Sequence, residues 1–218
     1  MLISYKYNFI FVHIAKTGGT SIRSALTPLL LKDPFRIIQY FFNRISAITN
    51  HKAGVKFPRH AKIIAAYEIL PRDVFNKMFK FAFVRNPWDL QVSSYHHVKR
   101  ERPHLLKNIN SFEDFLKFKL EEDRPYHYIL DASKEPQWFS LIDLSGNCLM
   151  DFVGRFENLE QDFQKVLSML GINKKITLPH KRKSQTREKD YRRYYNERSY
   201  ELIEKHFKED IEHFGYTF

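Results

Sequence analysis

The sequence predicts a single α/β domain with a central parallel sheet flanked by helices. Three observations predict it. The length of 218 residues is that of one domain. Short runs of β-branched and aromatic residues alternate with helical patterns, which implies parallel strands covered on both faces. No internal repeat, low-complexity tract or Gly/Ser linker divides the chain, so one domain over residues 1–218 is expected. Hydrophobic residues make up 43% of the chain, with 20 Phe and 12 Tyr, enough for a core that leaves disorder to a few loops.

The first element is the run Phe9-Ile10-Phe11-Val12-His13-Ile14, short and rich in β-formers, as a buried strand requires. It stops at Gly18-Gly19, after which Thr20 or Ser21 is expected to cap a helix that ends near Pro28. Over residues 35–48, Ile37, Ile38, Phe41, Phe42, Ile45 and Ile48 recur at helical spacing. Residues 61–70 read as helix. Phe79 to Val84 is the second buried strand, stopped by Asn86-Pro87 and followed by a helix over residues 88–99. Ser111 opens a helix with capping-box character that runs to about Glu122, and residues 150–156 read as a third strand. Asn158 is expected to cap a helix that stops at Gly171. A charged helix over residues 197–213 closes the chain.

Two of the strand-to-helix connections carry chemistry. In His13-Ile14-Ala15-Lys16-Thr17-Gly18-Gly19-Thr20-Ser21 a strand enters a helix whose free N–H groups and dipole favour an anion. Gly18 and Gly19 let backbone approach a ligand. Lys16 adds a charge, and Thr17, Thr20 and Ser21 add hydroxyl donors, which together suit a terminal phosphate or sulfate. This is a P-loop-like nucleotide-binding core, but not the nucleoside triphosphatase loop, in which the lysine follows the glycines. The second connection places Arg85 at the carboxyl end of a strand, where open α/β sheets bind ligands. Ser93, about two turns into the next helix, can face the same crevice, so a guanidinium and a hydroxyl can clamp one phosphate.

Taken together, the K-T-G-G-T-S loop at Lys16 to Ser21 and the R-N-P-x-D-x-x-x-S-x-Y segment from Arg85 to Tyr95 resemble the sulfotransferases that use 3′-phosphoadenosine-5′-phosphosulfate (PAPS), in particular their carbohydrate-acting branch. The resemblance extends through residues 154–159 and 210–216. It implies that the loop residues Lys16, Thr17, Gly18, Gly19, Thr20 and Ser21 hold the 5′-phosphosulfate and that Arg85 and Ser93 hold the 3′-phosphate. It also implies that the basic segment around Ser184, Arg187 and Tyr191 folds over the nucleotide. Relatives often have proline before the loop lysine, where this chain has Ala15.

The reaction so implied is in-line displacement at sulfur, with phosphoryl transfer as its nearest physical analogue. Lys16 is expected to stabilise the charge that grows on the leaving oxygen. The acceptor hydroxyl needs a base, and the region between the two motifs offers His60; His13 and His96 are the alternatives. Gln137 and Trp138 are considered for an acceptor cleft. No metal is required, and no H-E-x-x-H or clustered His/Cys pattern occurs.

A formal charge of +11 indicates an anionic partner, and much of the excess lies in residues 174–193. The single cysteine, Cys148, excludes an internal disulfide framework. The first twelve residues lack an uninterrupted apolar run, so neither membrane insertion nor a signal segment is expected, and a cytoplasmic location is the default. The expected partners are PAPS and a hydroxyl acceptor, a carbohydrate by the resemblance, and no nucleic acid. The competing readings are a nucleotide or nucleoside kinase with a variant phosphate loop, disfavoured by the absence of GKS or GKT, and a non-catalytic nucleotide-binding protein.

Overall fold

The computed structural model describes residues 1–31, 38, 41, 42, 45, 48, 57–174, 176–179 and 187–218. Four strands form one sheet in the order β1-β2-β3-β4: β1 (Leu2–Ser4), β2 (Phe9–Val12), β3 (Phe79–Val84) and β4 (Phe152–Arg155). The last three are parallel, with Phe11 opposite Phe81 and Phe81 opposite Phe152. The expected central parallel sheet is present as β2, β3 and β4, and β1 adds an antiparallel edge to β2. β1 is only three residues long and returns through a tight turn in which Asn8 takes φ 49°, a conformation that Asn tolerates better than most residues. The sheet is therefore mixed.

Strand residues alternate between two apolar layers, as a two-residue repeat dictates. Phe9, Phe11, Phe81 and Phe83 face α1 (Gly19–Leu30) and a later helix, Leu159–Met169. Ile10, Val12, Ala82 and Val84 face α2 (Ile63–Ile69) and α3 (Arg72–Lys77). Beyond the carboxyl end of β3, a third cluster joins α4 (Pro87–Glu101) to α5 (Phe112–Leu120) around Trp88, Val92 and Phe115, and Ile203 and Phe207 pack into it. Ile203 lies on α8 (Glu197–His206), which follows α6 (Tyr128–Asp131) and α7 (Leu159–Met169) in the chain and precedes α9 (Lys208–Phe214). The one expected C-terminal helix is thus two, broken at Phe207, whose buried ring anchors the break.

Local chemistry explains most boundaries. Asn86 caps α4 by accepting from the N–H groups of Trp88 and Asp89, with Pro87 in the first turn, where its missing N–H costs nothing. Ser111 caps α5 as expected, accepting from Asp114. Two expectations fail. Helix α1 runs through Pro28 to Leu30, because burial of Ile22, Ala25, Leu26 and Leu30 outweighs one missing hydrogen bond. No side chain caps α1 or α7, so neither Thr20, Ser21 nor Asn158 serves that purpose. Residues 38, 41, 42, 45 and 48 are helical, as expected; the rest of that stretch and Ser184 lie outside the described residues. Among the described residues no helix is long and apolar enough to cross a membrane.

Candidate functional site

The loop between β2 and α1 owes its shape to two residues with positive φ, Lys16 at 68° and Gly18 at 80°. Left-handed backbone is costly for a lysine, and the next turn supports it: the buried Thr17 hydroxyl donates to Ile14 O at 3.0 Å. Thr17 is therefore turned inward, and its hydroxyl proton closes the loop. Gly19 is needed for close approach, since a Cβ there would lie 2.1 Å from His13 Cδ2. With no side-chain cap on α1, the first turn is closed only by Ser21 N and Ile22 N donating to Gly18 O, and the N–H groups of Gly19 and Thr20 precede the first intrahelical bond. Lys16, Gly18, Gly19, Thr20 and Ser21 line a cleft of about 380 Å³.

Arg85 forms the second half of the cleft. Its Nε donates to Asp89 Oδ2 at 2.7 Å, its Nη2 is also 2.7 Å from that oxygen, and its Nη1 donates to Lys16 O at 3.0 Å. The guanidinium thus ties the end of β3 to the glycine loop while retaining one hydrogen on each terminal nitrogen. Phe156 lies 3.9 Å from its centre and packs under the plane, a cation–π contact. The Arg85 backbone is clamped by the Gln137 side chain, which accepts from Arg85 N at 2.9 Å and donates to Arg85 O at 2.8 Å. Burial pulls the guanidinium pKa down to about 9, which still leaves it charged at neutral pH.

Ser93, two turns along α4, lines both the main cleft and an adjoining cavity of about 370 Å³. Arg187 reaches that cavity from the late basic segment and pairs with Asp89 Oδ1. Burial and the Arg85 charge draw its pKa down to about 10. Asp89 therefore sits between two arginines. Sequence alone does not reveal this bridging, because the four-residue spacing to Arg85 identifies only one of the two partners.

His60 lines the same cleft. Its Nδ1 lies 2.8 Å from His13 O. A carbonyl can only accept, so Nδ1 carries the hydrogen and the neutral ring keeps its lone pair on Nε2. Burial lowers the His60 pKa below the ordinary 6.5, so the ring is neutral at pH 7. The two alternatives are placed differently. His13 is buried, its ring packs on Gly19 and stacks on Phe11, and burial takes its pKa down to about 2. Its Nδ1 has no partner among the described residues, so His13 is packed but not fully hydrogen-bonded. His96 bonds Tyr194 OH at 2.8 Å and lines the adjoining cavity rather than the main cleft.

Trp138 stacks on His213 at 3.8 Å, whereas Gln137, buried against Arg85 and Asp210, also lines a smaller cavity beside the cleft. The walls that sequence reasoning did not name include Arg59, His97, Tyr128, Ile129, Ala132 and Ser133. Behind Ser133 lies Lys119, fully buried, whose ammonium contacts Gln91 Oε1 at 2.5 Å, Ser94 Oγ at 3.0 Å, and Ser133 Oγ and O at 2.9 and 3.0 Å. All four are neutral oxygens, and desolvation lowers its pKa well below the usual lysine value. Among the described residues no group of three or more His, Cys, Asp or Glu is placed to hold a metal ion.

The arrangement is a cleft in which the glycine loop with Lys16 lies beside Arg85 and Ser93, the two joined by the Arg85–Lys16 hydrogen bond, with the neutral His60 ring in the same lining. The sequence profile of the sulfotransferase family matches residues 1–217. An uncharacterized protein of Archaeoglobus fulgidus is 33% identical over 106 residues, covering 48% of this chain and 78% of its own length. Carbohydrate sulfotransferase 9 of Homo sapiens is 27% identical over 159 residues, 60% of this chain and 34% of its own. Carbohydrate sulfotransferase 14 of Danio rerio is 21% identical over 208 residues, 83% of this chain and 51% of its own. The chain thus spans a third to a half of the length of these two. No solved structure matches it.

Proposed function

The chain belongs to the sulfotransferase family, and from that premise we propose that it transfers a sulfuryl group from PAPS to a hydroxyl of a carbohydrate acceptor. The observation that supports the donor half is the hydrogen bond from Arg85 Nη1 to Lys16 O, which sets the glycine loop beside Arg85, the spacing that a nucleotide carrying both a 3′-phosphate and a 5′-phosphosulfate would need. The loop N–H groups with Lys16, Thr20 and Ser21 bind the phosphosulfate. Arg85, Ser93 and Arg187 bind the 3′-phosphate. The carbohydrate acceptor is suggested by the names of the relatives.

Each residue then has one task. His60 Nε2 takes the acceptor proton as the acceptor oxygen forms its bond to sulfur and the bridging oxygen–sulfur bond breaks. The electron pair of the broken bond leaves with adenosine 3′,5′-bisphosphate, and Lys16 strengthens its contact to that oxygen as charge grows there. The carbonyl of His13 holds the tautomer of His60.

Calorimetric titration tests the donor half: adenosine 3′,5′-bisphosphate is expected to bind more tightly than ATP, ADP or AMP, and preference for ATP would favour a kinase. For the chemistry, His60→Ala is expected to slow transfer from labelled PAPS by about 10²–10⁴ with little change in nucleotide affinity. Wild-type turnover by that variant removes His60 from the mechanism.

A further inference from the structure

A smaller cavity of about 190 Å³ shares His13, Ala15, His60 and Tyr128 with the main cleft and adds Lys62, Tyr126 and Glu135. It is below the size that nucleotide-like ligands occupy. At ~30 Å³ per water it has room for about six, the scale of a single ring with its substituents. Its boundary is unusual in composition. Tyr126 is 76% exposed and Tyr128 55% exposed, while Lys62 pairs with Glu135, and Ser140 supplies a further hydroxyl.

These groups match one chemistry. A pyranose ring presents a C–H face and a rim of hydroxyls. The C–H face suits the negative face of a phenol ring, and the hydroxyl rim can both donate to Glu135 and accept from Lys62. An apolar alcohol would bury that ion pair without giving it new partners, which is unfavourable.

We propose that this chamber is the acceptor subsite and that it seats one ring of a saccharide against Tyr126 and Tyr128, with a hydroxyl directed to His60 Nε2. The proposal rests on the reading of His60 as the base. It assigns acceptor choice to the residues 126–128 and to the Lys62–Glu135 pair, none of which belongs to the donor motifs.

The test is a titration of protein carrying ¹³C-labelled tyrosine rings, saturated with adenosine 3′,5′-bisphosphate. The probes are chitotetraose, cellotetraose and methyl β-galactoside, with 4-nitrophenol as the non-saccharide arm. Saturable shifts of the Tyr126 and Tyr128 signals by at least one saccharide are expected, weakened tenfold or more in Tyr126→Ala or Tyr128→Ala and retained in Tyr126→Phe. Shifts caused by the phenol alone, or saccharide shifts confined to other tyrosines, overturn the proposal, as does silence from every saccharide. Nucleotide affinity measured on the same samples separates the two readings: intact nucleotide binding with no saccharide response removes the subsite and leaves the donor site standing, whereas loss of both removes the donor reading as well.

Discussion

Replacing Asp89 by Asn tests whether the two arginines are held in waiting by a single carboxylate. In the folded chain Asp89 accepts from Arg85 Nε and contacts its Nη2, both at 2.7 Å, and also pairs with Arg187. The side chains of Arg85 and Asp89 are 5% and 12% exposed, so solvent screens the pair little. Removing one partner of a buried ion pair costs about 3–5 kcal/mol. The low end applies, because the amide oxygen still accepts one hydrogen bond and Glu157 still favours the Arg85 charge. For a chain of this size ~3 kcal/mol lowers the melting temperature by about 6–12 °C. Adenosine 3′,5′-bisphosphate should then return part of the loss, since its phosphate replaces the missing charge between Arg85 and Arg187, and the rise in melting temperature on saturation should be larger in Asp89→Asn than in wild type. Far-UV circular dichroism melts with and without nucleotide read both quantities. A variant that melts within about 2 °C of wild type refutes the energetic argument, and an equal or smaller nucleotide effect refutes the assignment of the two arginines to the phosphate.

Three further outcomes are expected. Arg85→Ala and Ser93→Ala should each weaken adenosine 3′,5′-bisphosphate by about 10- to 150-fold, the loss of one charge-assisted hydrogen bond of ~1.5–3 kcal/mol, and leave AMP nearly unchanged in calorimetry; parallel weakening of both nucleotides would show that neither residue reads the 3′-phosphate. Gly19→Ala forces a Cβ to 2.1 Å from a buried imidazole and should cost about 1–3 kcal/mol in urea unfolding; an unchanged midpoint would mean that the His13 ring yields freely. His13, with a folded pKa near 2 against the ordinary 6.5, takes up its proton only on unfolding over that interval, so its stabilising contribution is complete above pH 6.5 and is lost as pH falls. The stability difference between wild type and His13→Leu should therefore shift against wild type by about 1.4 kcal/mol per pH unit below 6.5, measured by urea unfolding at pH 7 and 5.5.

The central strands and the helices that follow them were legible because burial on both faces leaves a plain apolar run, as in Phe79–Val84, and because Asn86-Pro87 and Gly171 are local signals. Edge strand Leu2–Ser4 was not legible: three residues carry too little periodicity, and their pairing is decided by Phe9 and Phe11 on the neighbouring strand. The Pro28 error has the same origin, a local rule overridden by packing. At the site, the glycine loop, Arg85 and Ser93 could be placed from sequence because each is tied to a strand end. The tautomer of His60, fixed by a carbonyl 47 residues away, could not, and neither could the bridge from Asp89 to Arg187, 98 residues apart. Such contacts depend on where loops land after the sheet is built.

Lys119 joins α4, α5 and the segment after α6 at one amine closed off from water. Reagents that acylate amines need an accessible, unprotonated nitrogen. The nitrogen of Lys119 is denied access in the folded chain, so it reacts only in molecules whose α4–α5 contact has come apart. Its labelling, read against that of the surface lysines in the same sample, is a clock for that separation. Since α4 also carries Ser93, the clock times the loosening of the helix on which the proposed phosphate clamp depends.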